Sequence, residues 1–156
     1  ITALMDSERR FTADAAHELR TPLSIVRGNT EGMLDGVYPR DDARLETVLD
    51  ASDDDAWAPK LVSIYGRLAA GDQMVRIAKA EAWLRRHPKD ASILIALGRM
   101  CFRKRLWGKA QTYLDASLAV EVTQEAHLEL ARLCDQLERT EEANKHYRAS
   151  ALLDAR

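Results

Sequence analysis

Apolar positions recur at helical steps along almost the whole chain. After Thr21 and Pro22, residues Leu23, Val26, Thr30, Met33 and Val37 alternate steps of three and four, the seam of a coiled-coil-like helix. Before the proline, Phe11, Ala15 and Leu19 continue an apolar face at a step of four. The pattern predicts one long helix over residues 4–36, with a change of phase near the proline, ended by Gly36 and Pro39. Asp41 and Asp42 are placed to cap a shorter helix running to Ala51. The run Ser52-Asp53-Asp54-Asp55, followed by Trp57 and Pro59, stops that helix and caps the next or marks a linker. Beyond it, helices are expected at about 60–70, 72–87, 91–103, 107–119, 124–137 and 140–154. The expected organisation is a helical segment over 1–51, a junction over 52–59 and a helical domain over 60–156.

The second half repeats itself. Leu97, Gly98, Cys101, Ala110, Leu114 and Ser117 return 33 residues later as Leu130, Ala131, Cys134, Ala143, Tyr147 and Ser150. A partial earlier copy, Ala80-Glu81-Ala82-Trp83-Leu84, matches Ala110-Gln111-Thr112-Tyr113-Leu114. Small residues at such positions let two antiparallel helices cross closely, so Gly98 is expected to face Ala110, and Ala131 to face Ala143. Leu114 and Tyr147 are expected to fill the gap towards the neighbouring pair. This is the tetratricopeptide pattern, and the fold class it implies is all-α: antiparallel helix pairs in a short α-solenoid, preceded by the long helix and the short one.

Composition agrees with that pattern. The chain has 7 Gly and 4 Pro in 156 residues, too few for the turn density of a sheet protein. Its formal net charge of −2 argues against a dedicated nucleic-acid binder. Cys101 and Cys134 lie among leucines without metal-ligand or CxxC spacing, and read as small apolar core residues in a reducing compartment. No apolar run approaches the ~20 residues that cross a bilayer. A first residue other than Met suggests a piece of a longer protein, whose membrane anchor would lie outside this sequence.

The stretch from Trp57 to Leu153 carries Lys60-Leu61-Val62, Tyr65-Gly66, Ala80 to Pro88, Leu97-Gly98-Arg99, Leu106 to Ala110 and Tyr113 to Leu118. Together these resemble the C-terminal region of proteobacterial HemY-type proteins. The resemblance implies tetratricopeptide repeats that follow membrane helices in the parent, and a scaffolding role beside late haem biosynthesis at the inner membrane. A flavin-dependent oxidase would need a Gly-rich dinucleotide fingerprint, which the sequence lacks, so no cofactor is expected.

Residues 11–23, Phe-Thr-Ala-Asp-Ala-Ala-His-Glu-Leu-Arg-Thr-Pro-Leu, resemble the phosphoacceptor box of sensor histidine kinases. The resemblance implies that one ring nitrogen of His17 attacks the γ-phosphate of ATP. Glu18 would then hold the other ring nitrogen, fixing its tautomer and raising its basicity. Thr21, one helical turn on, would lie beside His17. Pro22 removes a backbone hydrogen bond and permits a bend that exposes the histidine. In that family a second helix completes a hairpin, and two hairpins dimerise, so a homodimer through residues 4–50 is implied. Here the second helix begins at Arg44 and the kinase-like pattern ends near Ala51. The asparagine and glycine boxes of a kinase ATP-binding domain do not occur, so the chain as it stands is not expected to be an enzyme. Two unrelated resemblances meeting within ten residues suggest separate origins, by natural rearrangement or engineered fusion.

Other candidates are weaker. His87, His127 and His146 show no metal-ligand spacing, and no metal site is expected. Trp57, Trp83 and Trp107 read as rings packed between helices. Arg99, Arg103, Lys104, Arg105 and Lys109 cluster around one inter-helix turn, as a solvated face or as a surface for an acidic peptide or lipid head group. The main expectation is therefore a non-catalytic scaffold whose groove, lined by Arg99, Arg103 and Arg132, holds a protein or peptide partner. The rival is a signalling fragment with His17 as acceptor. Either parent places the chain in the cytoplasm or on the cytoplasmic face of the bacterial inner membrane.

Overall fold

The helical periodicity is realised throughout residues 42–156, the part of the chain described by the structure, a computed structural model. Among these residues there are seven helices and no strand: α1 (Asp42–Ala51), α2 (Pro59–Arg67), α3 (Gln73–Arg86), α4 (Ala91–Arg103), α5 (Trp107–Val120), α6 (Gln124–Gln136) and α7 (Thr140–Asp154). The long helix expected over 4–36, and with it His17, Glu18, Thr21 and most of the expected dimer surface, lies outside the described residues. The chain divides into two compact units, one ending at Leu61 and one spanning Val62–Arg156. No described helix is long and apolar enough to cross a membrane.

In the first unit, Leu45, Val48 and Leu49 are buried along one face of α1, and Ser52, just past its end, continues that buried row. Ser52 Oγ donates to the Val48 carbonyl at 2.7 Å, so the polar end of that face is satisfied within its own turn. The aspartate run closes a turn: the Ala56 N–H donates to Asp53 Oδ1 at 3.0 Å. Pro59 opens α2, where its missing N–H costs nothing.

In the second unit, side-chain caps start three helices. Asp72 accepts from the backbone N–H groups of Met74 and Val75, Asp90 from those of Ser92 and Ile93, and Thr123 from that of Ala126. Helix α4 is buried on nearly every side, from Ala91 through Cys101, as expected of the central member of a stack. It packs most extensively along α5, as α6 does along α7, and it also touches α3 and α6. Trp83 is buried and meets Tyr65 edge-on, with ring centroids 5.0 Å apart.

The 33-residue repeat is visible in burial. Leu97, Cys101, Ala110 and Ser117 are buried, as are Leu130, Cys134, Ala143 and Ser150. Two details add to this picture. The space where a Gly98 Cβ would stand is met at 2.6 Å by Leu114 Cγ and Cδ2, so Leu114 supplies the atoms nearest Gly98. Tyr147, the equivalent of buried Leu114, is 38% exposed and donates its hydroxyl to Asp135 Oδ2 at 2.6 Å; it covers the pair's own first helix from outside. A second close approach joins α2 to α4, where a Cβ on Gly66 would meet Ala96 Cβ at 2.6 Å and Ala96 Cα at 2.7 Å.

The repeat also extends to the backbone. Arg105 (φ 58°) and Glu138 (φ 59°) both adopt the left-handed conformation just after α4 and α6. In each turn the next N–H bonds back into the helix, Leu106 to the Cys101 carbonyl at 2.9 Å and Arg139 to the Cys134 carbonyl at 2.8 Å. The carboxyl end of α2 is closed by side chains instead. Arg103 Nη1 donates to the carbonyls of Gly66 at 2.7 Å and Leu68 at 3.2 Å, and its Nη2 to that of Arg67 at 2.9 Å. Arg76 and Gln73 donate to the Leu68 carbonyl as well.

Four stability changes follow, each measurable as a shift in urea midpoint. Gly66→Ala gains about 1 kcal/mol of helix propensity but forces two backbones apart, for a net loss of about 1–3 kcal/mol. Gly98→Ala is expected to lose less, because it meets side-chain atoms of Leu114 and not backbone. Arg105→Gly relieves a left-handed non-glycine and is expected to stabilise by about 0.5–1 kcal/mol. Arg103→Met leaves the α2 carbonyls without their cationic donor and is expected to cost about 1–3 kcal/mol.

Candidate functional site

Three helices converge on one concavity in the second unit. On α4, Arg99 and Arg103 are one turn apart and share a face. On α6, Glu125, Glu129 and Arg132 stand at steps of four and three and share another. Arg67 comes from the last turn of α2. With Phe102, Gln124 and Leu128 they line a pocket of about 650 Å³. The structure thus brings Arg99, Arg103 and Arg132 together in one lining, and adds Arg67, which periodicity does not single out.

The arginines differ in how far their charge is already used. The Arg99 side chain is only 9% exposed, and its Nε donates to Glu129 Oε1 at 2.8 Å. Its Nη2 donates to Glu125 Oε1 in a short contact, while Nη1 is buried and has no hydrogen-bond partner. Arg103 is committed to the end of α2. Arg67 and Arg132 are well exposed and reach in from the rim. Arg67 donates to Glu125 Oε1 at 2.9 Å, and Arg132 to Glu129 Oε1 at 3.0 Å. Glu125 Oε1 also accepts from Ser63 Oγ at 3.3 Å, so a single oxygen serves three donors.

The electrostatics follow from these contacts. Burial alone would lower the basicity of Arg99, but hydrogen bonds to Glu129 and Glu125 outweigh it and raise its pKa. Burial would raise Glu125, but hydrogen bonds from Arg67 and Arg99 outweigh it and hold the carboxyl below the usual carboxylate range. Arg103 is lowered, first by burial and then by the neighbouring charge of Arg99. Four guanidinium groups face two carboxylates, so the lining keeps a surplus of two positive charges.

Elsewhere, Cys101 and Cys134 are buried free thiols. Burial pushes the Cys101 thiol up to about 11, far from the range of a reactive thiolate. His127 and His146, 19 residues apart, meet between α6 and α7 with Nδ1 atoms 2.9 Å apart. Sequence spacing alone does not reveal that pair; its signal is that both rings project from facing positions of one helix hairpin. No cluster of three or more metal-ligating side chains exists among the described residues.

Comparison with known proteins bears on the amino-terminal segment. Residues 7–57 match the family model of the His Kinase A (phospho-acceptor) domain. The chain is similar to the sensor protein BasS of Salmonella typhimurium, 64% identical over 31 residues, which is 20% of this chain and 9% of that protein. It is also similar to the sensor protein BasS of Escherichia coli K12, 61% identical over 31 residues, 20% of this chain and 8% of that protein. The chain therefore spans less than a tenth of the length of these relatives. These matches support the sensor-kinase resemblance of the first segment and do not bear on the HemY-type resemblance of the second.

Proposed function

We propose that this chain carries the phosphoacceptor segment of a two-component sensor histidine kinase, with His17 as the acceptor. The match of residues 7–57 to the phosphoacceptor family supports the reading, and the box over residues 11–23 gives it its chemistry. In the proposed step a ring nitrogen of His17 attacks the γ-phosphorus of ATP and the phosphorus–oxygen bond to ADP breaks. ADP leaves and the phosphoryl group stays on the ring. Glu18 accepts a hydrogen bond from the other ring nitrogen, which keeps the attacking nitrogen unprotonated. Thr21 lies one turn further on, beside the reacting group. ATP is held by a separate kinase domain, so the chain acts as acceptor and not as catalyst. Pairing of two chains through residues 4–50 belongs to the same reading.

A second reading concerns residues 60–156 and is favoured by the arginine-lined pocket. There the tetratricopeptide-like helix pairs serve as a binding surface for a protein partner, with Arg99, Arg103 and Arg132 in its groove. The HemY-type resemblance would set that groove beside haem biosynthesis at the cytoplasmic face of the inner membrane. The two readings are compatible, since they occupy different segments.

Incubation with a sensor-kinase ATP-binding domain and γ-labelled ATP tests the first reading. Acid-labile label is expected on the wild-type chain and none on His17→Gln. Label that never appears, or that survives the substitution, ends the phosphoacceptor assignment.

A further inference from the structure

The pocket between α2, α4 and α6 contains an arginine whose bonding is incomplete although it is nine-tenths buried. Arg99 Nε is held by Glu129 and Nη2 by one oxygen of Glu125, while Nη1 is buried without a partner. A guanidinium presents Nη1 and Nη2 as a fork that matches the two oxygens of a carboxylate. Glu125 uses only one oxygen on this fork, and that oxygen is shared with Arg67 and Ser63. Glu125 is also the looser of the two acids: its side chain is 34% exposed, against 11% for Glu129. The lining holds more positive than negative charge, and Phe102 and Leu128 add an apolar wall beside it.

We infer that Glu125 stands in the place of a ligand carboxylate, and that the pocket takes an acidic peptide whose Asp or Glu side chain displaces it. The inference rests on the second reading above, that this groove binds a protein. An incoming carboxylate that spans Nη1 and Nη2 satisfies the orphaned donor, which Glu125 leaves unmade. Glu125 then turns to the solvent it already touches, and Arg67 and Arg132 at the rim neutralise the added charge. Glu129 stays on Arg99 Nε and keeps the guanidinium plane in place. The apolar wall selects a peptide in which acidic and apolar side chains alternate. The apolar wall of Phe102 and Leu128 beside the arginines suits a peptide's mixed side chains better than a lipid head group, which is why a peptide is favoured over a membrane.

The test uses the full chain and a fluorescein-labelled six-residue peptide of alternating aspartate and leucine, read by fluorescence anisotropy. An asparagine–leucine peptide is the control. Binding of the aspartate peptide alone is expected, with Arg132→Gln weakening it by about threefold, the scale of one exposed charge pair. Glu125→Gln is expected to tighten binding by at least about threefold, because it removes the competing carboxylate. If circular dichroism shows that this variant is unfolded, Ser63→Ala replaces it: it takes one donor from Glu125 without changing any charge, and tighter binding is again expected. Unchanged or weaker binding in the folded Glu125 or Ser63 variant overturns the displacement, while a surviving effect of Arg132→Gln leaves the groove reading intact. Failure of the aspartate peptide to bind any of these proteins overturns both. Association with phosphatidylglycerol vesicles, but not with the peptide, overturns the peptide assignment.

Discussion

Burial of the Arg99 charge in the middle of α4 governs how the second unit is arranged. Its helix is otherwise apolar on nearly every side, so the guanidinium can be desolvated only if acidic partners are delivered to it. Both partners, Glu125 and Glu129, come from α6, the first helix of the next pair. Breaking a buried ion pair by removing one partner costs about 3–5 kcal/mol, whereas an exposed pair contributes about 0–1 kcal/mol. The neighbouring pairs are therefore registered by this contact and not by surface bridges such as Arg139 to Glu142. Close packing supplies the complement: Gly66 lets α2 sit on Ala96, and Gly98 leaves room for Leu114.

Much of this was legible from residue spacing. The six helices expected after the junction lie where periodicity puts them, because each has an apolar face at steps of three and four. Several have start signals as well, such as Asp72, Asp90 and Thr123. The recurrence of small residues pointed to close contacts between helices. That the branched end of Leu114 fills the space beside Gly98 was not readable from spacing, because it depends on how the side chains of two crossing helices interlock. Tyr147 shares its repeat position with Leu114, yet its hydroxyl finds Asp135 and keeps the ring near solvent. Arg99, Arg103 and Arg132 were recognisable as one face, but that Arg103 closes the end of α2 was not. Contacts across 35–37 residues leave no periodic trace. The same holds for Arg67, which joins the lining only through tertiary packing.

The two segments contribute different kinds of chemistry. The first, over residues 7–57, matches the family model of the His Kinase A (phospho-acceptor) domain. The second is built of helix pairs, and in its pocket Arg99 is tied to Glu125 and Glu129 while Arg67 and Arg132 reach the same two carboxylates from the rim. Cys101 and Cys134 are buried within those pairs, and burial raises the pKa of both thiols.

The matched left-handed residues at Arg105 and Glu138 have a wider consequence. The same reversal of the chain is made once with a cation and once with an anion, while the hydrogen bonds that define it run through backbone atoms alone. Side-chain identity at these corners is thereby decoupled from the path of the chain. One edge of the array can change sign from hairpin to hairpin while the interior stays as it is, so its outer electrostatic relief and its core are free to evolve independently.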